Sequence, residues 1–391
     1  MLNVILTLDY EIHGSGEGSP YTLMVEPTRR MMRNFERFGA KLTIMADVAE
    51  IAQFKQHAAT HGEDRFHSGM IEDQLREAVG HGHDVQLHIH SSYYGARCEN
   101  GRWVQDWEQY DLARLGYERL ATVIGEGRSY LEDLLRPVAG DYACIAFRAA
   151  NWSMKPSADI VRALRERGIR IDTSVFKHGS RSGLVHFDYS SAFSHIVPWP
   201  IDSTDVCLPD PQSDLWEVPI YCENRWIWDF LSFTRFYRVW QGRAHPLARS
   251  QGDAGDDGGG EGTSPEKQRS GRLWGPVRKL EFFFRRHPLK MDFNQCSGRQ
   301  LVWTMKRIEA AYGDFPFPLP VVLIGHSKLF TPYNERDLTV FLEYVAENTA
   351  NCRFSTFREL EPTVLRKAFA HESTGRAVQR HQENAQPGKA R

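Results

Sequence analysis

Seven short runs of apolar and β-branched residues, at 3–8, 41–45, 84–88, 143–148, 169–175, 215–220 and 320–324, are each bounded by turn residues. Several are apolar at consecutive positions, as in Val4-Ile5-Leu6 and Val321-Val322-Leu323-Ile324. A strand with one wet face alternates apolar with polar residues, so these runs belong in a sheet buried on both faces. Between them lie segments of helical spacing at 26–38, 71–79, 111–134, 156–167, 298–311 and 335–348. Pro27 and Pro156 stand where a first helical turn tolerates proline, and Gly39, Gly80 and Gly168 follow the last periodic residue, as helix stops do. Strand then helix, repeated, implies right-handed βαβ units around a parallel sheet, either closed as a barrel or open and doubly wound.

Two stretches break the alternation. Residues 252–271 are rich in Gly, Asp, Glu and Ser with almost no apolar content, which predicts a disordered excursion, and the tail 371–391 reads the same way. The excursion sits within an aromatic-rich insertion at 223–297 that holds Trp226, Trp228, Phe230, Phe233, Phe236, Tyr237 and Trp240, with Arg235, Arg238, Arg278, Lys279, Arg285 and Arg286 nearby. Its plain reading is a helical insertion packing an aromatic stripe on the sheet. A sugar-stacking wall and a membrane-surface contact are the two functional readings.

The formal net charge of -2 gives no basic field, which argues against nucleic acid as a partner. The six cysteines form no C-x-x-C pair, so neither a zinc ribbon nor a disulfide framework is expected, and reduced thiols in a cytoplasm fit best. Leu2 already belongs to the first strand, leaving no room for a secretory leader, and no later run reaches membrane-spanning length. A soluble cytoplasmic protein without a transmembrane segment is the expectation.

The first run delivers Asp9 and Glu11, and the third delivers His88 and His90. Residues two apart on a strand point the same way, so each pair can project from a strand end toward one point. Ligands for an ion, an open position for water and a carboxylate base are what a hydrolytic metal centre needs. The competing readings are turn-capping carboxylates and hydrogen-bonded core histidines. His13 shares the alternation of Asp9 and Glu11, but Gly14 and Gly16 place it in a loop.

Five segments occur in order: Thr7-Leu8-Asp9-Tyr10-Glu11, Gly82-His83-Asp84-Val85-Gln86-Leu87-His88-Ile89-His90, Phe147-Arg148-Ala149-Ala150-Asn151-Trp152, Ile171-Asp172-Thr173-Ser174-Val175 and Leu323-Ile324-Gly325-His326-Ser327. Their order and content resemble the polysaccharide deacetylase family, the NodB-homology or carbohydrate esterase family 4 fold, over about residues 1–360. The chain departs from the usual pattern in an H-x-H form of the second motif, since the position four after His88 is Ser92, and in Tyr10 where many members have an aspartate.

The resemblance implies a distorted seven-stranded (β/α) barrel and a hydrolase acting on carbon–nitrogen bonds other than peptide bonds. Its substrate would be an N-acetylated amino sugar in a glycan or glycan precursor, and its cofactor a divalent metal ion, with Zn2+ expected. Position by position, it implies Asp9 as the catalytic base, Glu11 and His88 as metal ligands, and Arg148 as the residue that neutralises and orients the base; with Ser92 at the usual place of the second histidine, either His90 serves as the third ligand or the metal is weakly held. It implies His326 as general acid and Asp172 as the carboxylate orienting that histidine. Tyr93, Tyr94 and Trp152 follow ligand-bearing segments and are candidate sugar-stacking residues, and Glu217 is a candidate for substrate binding or for answering an arginine. Two other functions stay open: a non-catalytic glycan-binding relative, and a hydrolase of a non-sugar C–N amide.

Overall fold

In the computed structural model, which describes residues 1–12, 16–230 and 285–384, each of the seven apolar runs becomes a strand. They are β1 (Leu2–Tyr10), β2 (Leu42–Asp47), β3 (Asp84–Ile89), β6 (Ala146–Ala149), β7 (Ile171–Asp172), β11 (Trp216–Glu217) and β14 (Leu319–His326). Two small hairpins, β4 with β5 (Arg97–Glu99, Arg102–Val104) and β8 with β9 (Ser180–Arg181, Phe187–Asp188), decorate the connections. The main sheet runs β11-β7-β6-β3-β2-β1-β14 with every neighbour parallel. β10 (Trp199–Pro200) adds an antiparallel flank on β11, and β15 (Cys352–Phe354) pairs with the first half of β1.

The two ends of this sheet meet. On one side of residues 216–221, Trp216 N, Val218 N and Ile220 N donate to the carbonyls of Arg170, Asp172 and Val175 at 2.8, 2.8 and 2.9 Å. On the other side, Tyr221 N donates to Val322 O at 3.0 Å, and Ile220 bridges Val322 in parallel. One extended segment thus joins β7 to β14 and closes a seven-stranded (β/α) barrel, distorted because its closing ladders are only a few residues long. Since all strands are parallel, their C-terminal ends share one mouth.

Among the described residues the α-helices are α1 (Glu26–Glu36), α2 (Val48–His61), α3 (Ser68–Gly80), α4 (Tyr117–Leu135), α5 (Ala158–Glu166), α6 (Gly298–Tyr312), α7 (Pro332–Glu347) and α8 (Pro362–Asn384). α2 was not legible as a helix. Its start is set by Asp47, whose Oδ1 accepts from the backbone of Ala49 and Glu50, and its end by Gly62 at φ 73°. The expectation of a disordered tail from residue 371 needs correction, because α8 runs on to Asn384. Leu365, Ala368 and Phe369, at helical spacing, are buried against the barrel, and Phe369 meets Trp216 edge-on at 6.4 Å. That docking nucleates a helix which the polar sequence alone would not hold. The expected disorder at 252–271 lies outside the described residues, as do His13, Phe233, Arg235, Phe236, Tyr237, Arg238, Trp240, Arg278 and Lys279. The flanks of the insertion form an antiparallel ribbon, β12 (Cys222–Trp226) with β13 (Arg286–Lys290), rather than helices. All six cysteines are free thiols.

Gly325, just before His326, marks a close approach: a Cβ there would lie 2.0 and 2.2 Å from the Phe293 ring, and Phe293 is itself buried. Gly325→Ala should therefore lower stability by about 1–3 kcal/mol in urea unfolding, and the second change Phe293→Leu should recover part of that loss. Additive losses in the double variant would show that the ring is not what the alanine meets.

Candidate metal centre

The strand register brings the candidate residues to one level at the mouth. Asp9 on β1 is opposite His326 on β14, Asp47 on β2 is opposite His88 on β3, and His88 is opposite Arg148 on β6. Asp9, Glu11, Asp47, His88, His90 and Arg148 are all buried. Buried charges persist only when paired, so the contacts among them carry the argument.

Glu11, His88 and His90 each offer a ligand atom, and these atoms lie within 4.8 Å of one another. Glu11 Oε2 is 3.0 Å from His88 Nε2 and 3.1 Å from His90 Nδ1. His88 Nδ1 lies 2.8 Å from the carbonyl oxygen of Arg148. A carbonyl only accepts, so Nδ1 carries the hydrogen and the Nε2 edge faces the Glu11 carboxylate. Burial by itself lowers the His88 pKa, but the hydrogen bond to Glu11 and the charges of Asp9, Glu11 and Asp47 outweigh it and raise it to about 9. His90 Nδ1 is also 2.8 Å from Asp47 Oδ2, and Asp47 Oδ1 accepts from His90 N at 3.2 Å. Two imidazoles and a carboxylate, with an oriented ring edge on each imidazole, fit a divalent ion of the zinc type.

The base candidate is held from the opposite wall. Arg148 Nη1 donates to Asp9 Oδ1 at 2.7 Å and to Thr7 Oγ1 at 2.9 Å, while its Nε donates to Thr173 O at 3.0 Å. Burial pushes the Asp9 carboxyl up, and the guanidinium together with His88 and His326 reverses this and holds it below its ordinary value. His326 Nε2 is 3.6 Å from Asp9 Oδ2 and 4.0 Å from Glu11 Oε1, while His326 N donates to Asn294 Oδ1 at 2.6 Å. With 14% of its side chain exposed against 5% or less for Asp9 and Glu11, His326 is the member nearest the outside.

Four expectations change. Asp172 does not reach His326 by any hydrogen bond among the described residues: it accepts from Ser174 Oγ at 2.6 Å and pairs with Glu217. β7 and β14 are not neighbours, and the register partner of Asp172 on the closing segment is Glu217. Glu217 is fully buried with Oε1 accepting from Val175 N at 3.1 Å, so it answers neither substrate nor an arginine. Tyr93 is fully buried beside Glu50 and offers no stacking face. The Trp152 ring, also buried, has Lys290 Nζ 3.7 Å from its centroid and Phe176 edge-on at 5.4 Å. Tyr94 is half-buried, with the Arg119 guanidinium 5.1 Å from its ring centroid.

Three residues of the centre went unrecognised in the sequence. Lys328 Nζ donates to Glu11 Oε1 at 2.9 Å from a side chain only 3% exposed. Alternation from His326 was the signal available for it. Asp47 ends the second apolar run much as Asp9 ends the first, but its helix-capping role hides it. Glu50 accepts from Ile12 N at 2.7 Å, and burial together with Asp47 and Glu11 pushes its carboxyl well up.

No family model and no curated protein matches the chain. Among solved structures it is similar to a probable polysaccharide deacetylase from Pseudomonas aeruginosa PAO1, at 12% identity and TM-score 0.43 over 95% of this chain and 91% of the other. It is also similar to Puue allantoinase, at 12% identity and TM-score 0.43 over 94% and 90%. A third is a 4-alpha-glucanotransferase from Thermococcus litoralis, at 13% identity and TM-score 0.45 over 92% of this chain and 39% of the other. These three activities differ, and none of them carries over to this chain.

The Asp172–Glu217 pair generates a pH prediction. Burial first, then the neighbouring Asp172, raises Glu217 well above its ordinary 4.5, so the neutral acid is the folded form. Its stabilisation is complete below the unfolded value and is lost as pH rises through the folded one. Glu217→Gln keeps a donor toward Asp172 and removes the titration. The wild-type urea midpoint should fall between about pH 5 and about pH 8 by the equivalent of roughly 1–3 kcal/mol more than that of the variant. Equal falls would place the pH sensitivity elsewhere.

Proposed function

We propose that this chain is a metal-dependent hydrolase of the polysaccharide deacetylase type, removing N-acetyl groups from an amino sugar in a glycan or glycan precursor. The observation that carries the reading is the meeting, at one barrel mouth, of the Glu11, His88 and His90 cluster with the Arg148-bound Asp9 and with His326. Glu11, His88 and His90 would hold the ion, with Asp47 fixing the His90 ring and Lys328 the second oxygen of Glu11. A divalent ion there, with zinc suited to the donor set, supplies Lewis acidity toward the amide carbonyl and lowers the pKa of water.

The protein's own groups divide the remaining work. Asp9, kept ionised by Arg148, takes the proton from the attacking water as its oxygen bonds to the carbonyl carbon. His326, at the exposed side of the cluster, gives a proton to the nitrogen as the C–N bond breaks, so acetate and an amino sugar leave. Arg148 is fully buried and spends Nη1 on Asp9 and Thr7 and Nε on Thr173, so its assigned part is to hold Asp9. We place the enzyme in the cytoplasm, where free thiols remain reduced. Among the described residues no helix is long and apolar enough to cross a membrane.

Purified protein should bind one divalent ion per chain and release acetate from N-acetylglucosamine oligomers. Chelation should abolish the release and zinc restore it. Asp9→Asn and His326→Ala should each lower kcat by about 10²- to 10⁴-fold while leaving the metal content unchanged, and Glu11→Ala or His88→Ala should lose the metal. Metal-independent glycan binding without acetate release would instead make the chain a binding relative. Hydrolysis confined to non-sugar amides would keep the centre and overturn the substrate.

A further inference from the structure

Strands β1 and β14 bring one more pair to the centre than the proposed reaction uses. Asp9 and His326 are the last register partners of these two parallel strands. Two residues further along each chain, where alternation returns to the same side, stand Glu11 and Lys328. Lys328 sits in the short turn Ser327–Leu329, which packs against the π-helical turn Tyr21–Val25 and is closed by Phe330 N donating to Ser327 O at 3.0 Å. Its side chain is only 3% exposed, so the aliphatic stem and its ammonium are held inside the wall instead of reaching into solvent.

The two oxygens of Glu11 face different ways. Oε2 is turned to the imidazoles, 3.0 Å from His88 Nε2 and 3.1 Å from His90 Nδ1. Oε1 is turned to β14, where it accepts from Lys328 Nζ at 2.9 Å and lies 4.0 Å from His326 Nε2. A carboxylate can give an ion one oxygen or both. One oxygen with two imidazoles is a set of three ligands, which leaves a zinc ion its fourth position for water. Both oxygens would make four ligand atoms before any water, and would suit the larger shells of oxygen-preferring ions such as Mn2+. Turning both oxygens of Glu11 toward the histidines would break the bond to Lys328, at the cost of a charge-assisted hydrogen bond in a dry interior. A lysine that only balanced charge would act on Zn2+ and Mn2+ alike, since both carry two charges, whereas a lysine that holds one oxygen discriminates between them.

We propose that Lys328 is the metal-selecting residue of the centre, a positioning residue that restricts Glu11 to one oxygen and so favours zinc over manganese. The proposal rests on the metal reading of Glu11, His88 and His90 and is independent of the substrate. In chelator-competition titrations of the full chain, wild type should bind Zn2+ more tightly than Mn2+. Lys328→Met should narrow the ratio of the two dissociation constants by about 10-fold or more, with the stoichiometry of binding unchanged. Loading with Co2+ gives a second readout: intense visible absorption for wild type, as four-coordinate cobalt gives, and weaker bands for Lys328→Met, as higher coordination gives. Near-ultraviolet circular dichroism checks the fold of the variant. Should Lys328→Met not fold, the wild-type cobalt spectrum decides, and weak bands there overturn the proposal. A variant that shifts both dissociation constants by the same factor also overturns it and leaves Lys328 as a counter-charge. Wild-type protein that binds neither ion removes the metal reading and this proposal together, whereas the expected selectivity without acetate release refutes the proposed activity alone.

Discussion

A fully buried guanidinium spans the inside of the barrel, from β6 to β1. A buried charge without a partner is costly, yet at 2.7 Å the Arg148 guanidinium and the Asp9 carboxylate each offset the desolvation of the other. The same logic extends outward through the cluster: Glu11 is answered by Lys328, His88 and His90, and Asp47 by His90 and the first turn of α2. Removing any one partner leaves a charge stranded in a dry interior, which is why the centre holds as a unit. Preorganisation of this kind also suits the proposed catalysis, in which Asp9 as the proposed base would be aimed and ionised before a substrate arrives.

Closure of the barrel and construction of the mouth are one event. Residues 216–221 complete the sheet, and the chain then leaves as β12 and returns as β13 to place Asn294 under the His326 backbone. The insertion is thus rooted in the wall that carries the proposed general acid.

Much of the barrel was legible because consecutive apolar residues such as those at 321–324 admit no reading but a doubly buried strand. The pairing of Glu11 with His88 and His90 was legible for a related reason: alternation at a strand end fixes direction, and parallel strands end together. What failed were assignments that needed a neighbour. Asp172 was matched to His326 by motif order, but the circular order of strands gives it Glu217 instead. Tyr93 and Trp152 follow strand ends, yet whether an aromatic face is open depends on what packs around it, and Glu50, Lys290 and Phe176 come from distant parts of the chain.

The sequence by itself determined the strand set, the direction in which the strand-end side chains project and the ligand types available for an ion, because these follow from periodicities of two and 3.6 residues. Only the tertiary structure decided which charges meet. Lys328 reaches Glu11 across 317 positions and Arg148 reaches Asp9 across 139, and no local pattern encodes such pairs. They are selected by the desolvation each buried charge suffers until folding brings its partner within hydrogen-bond distance.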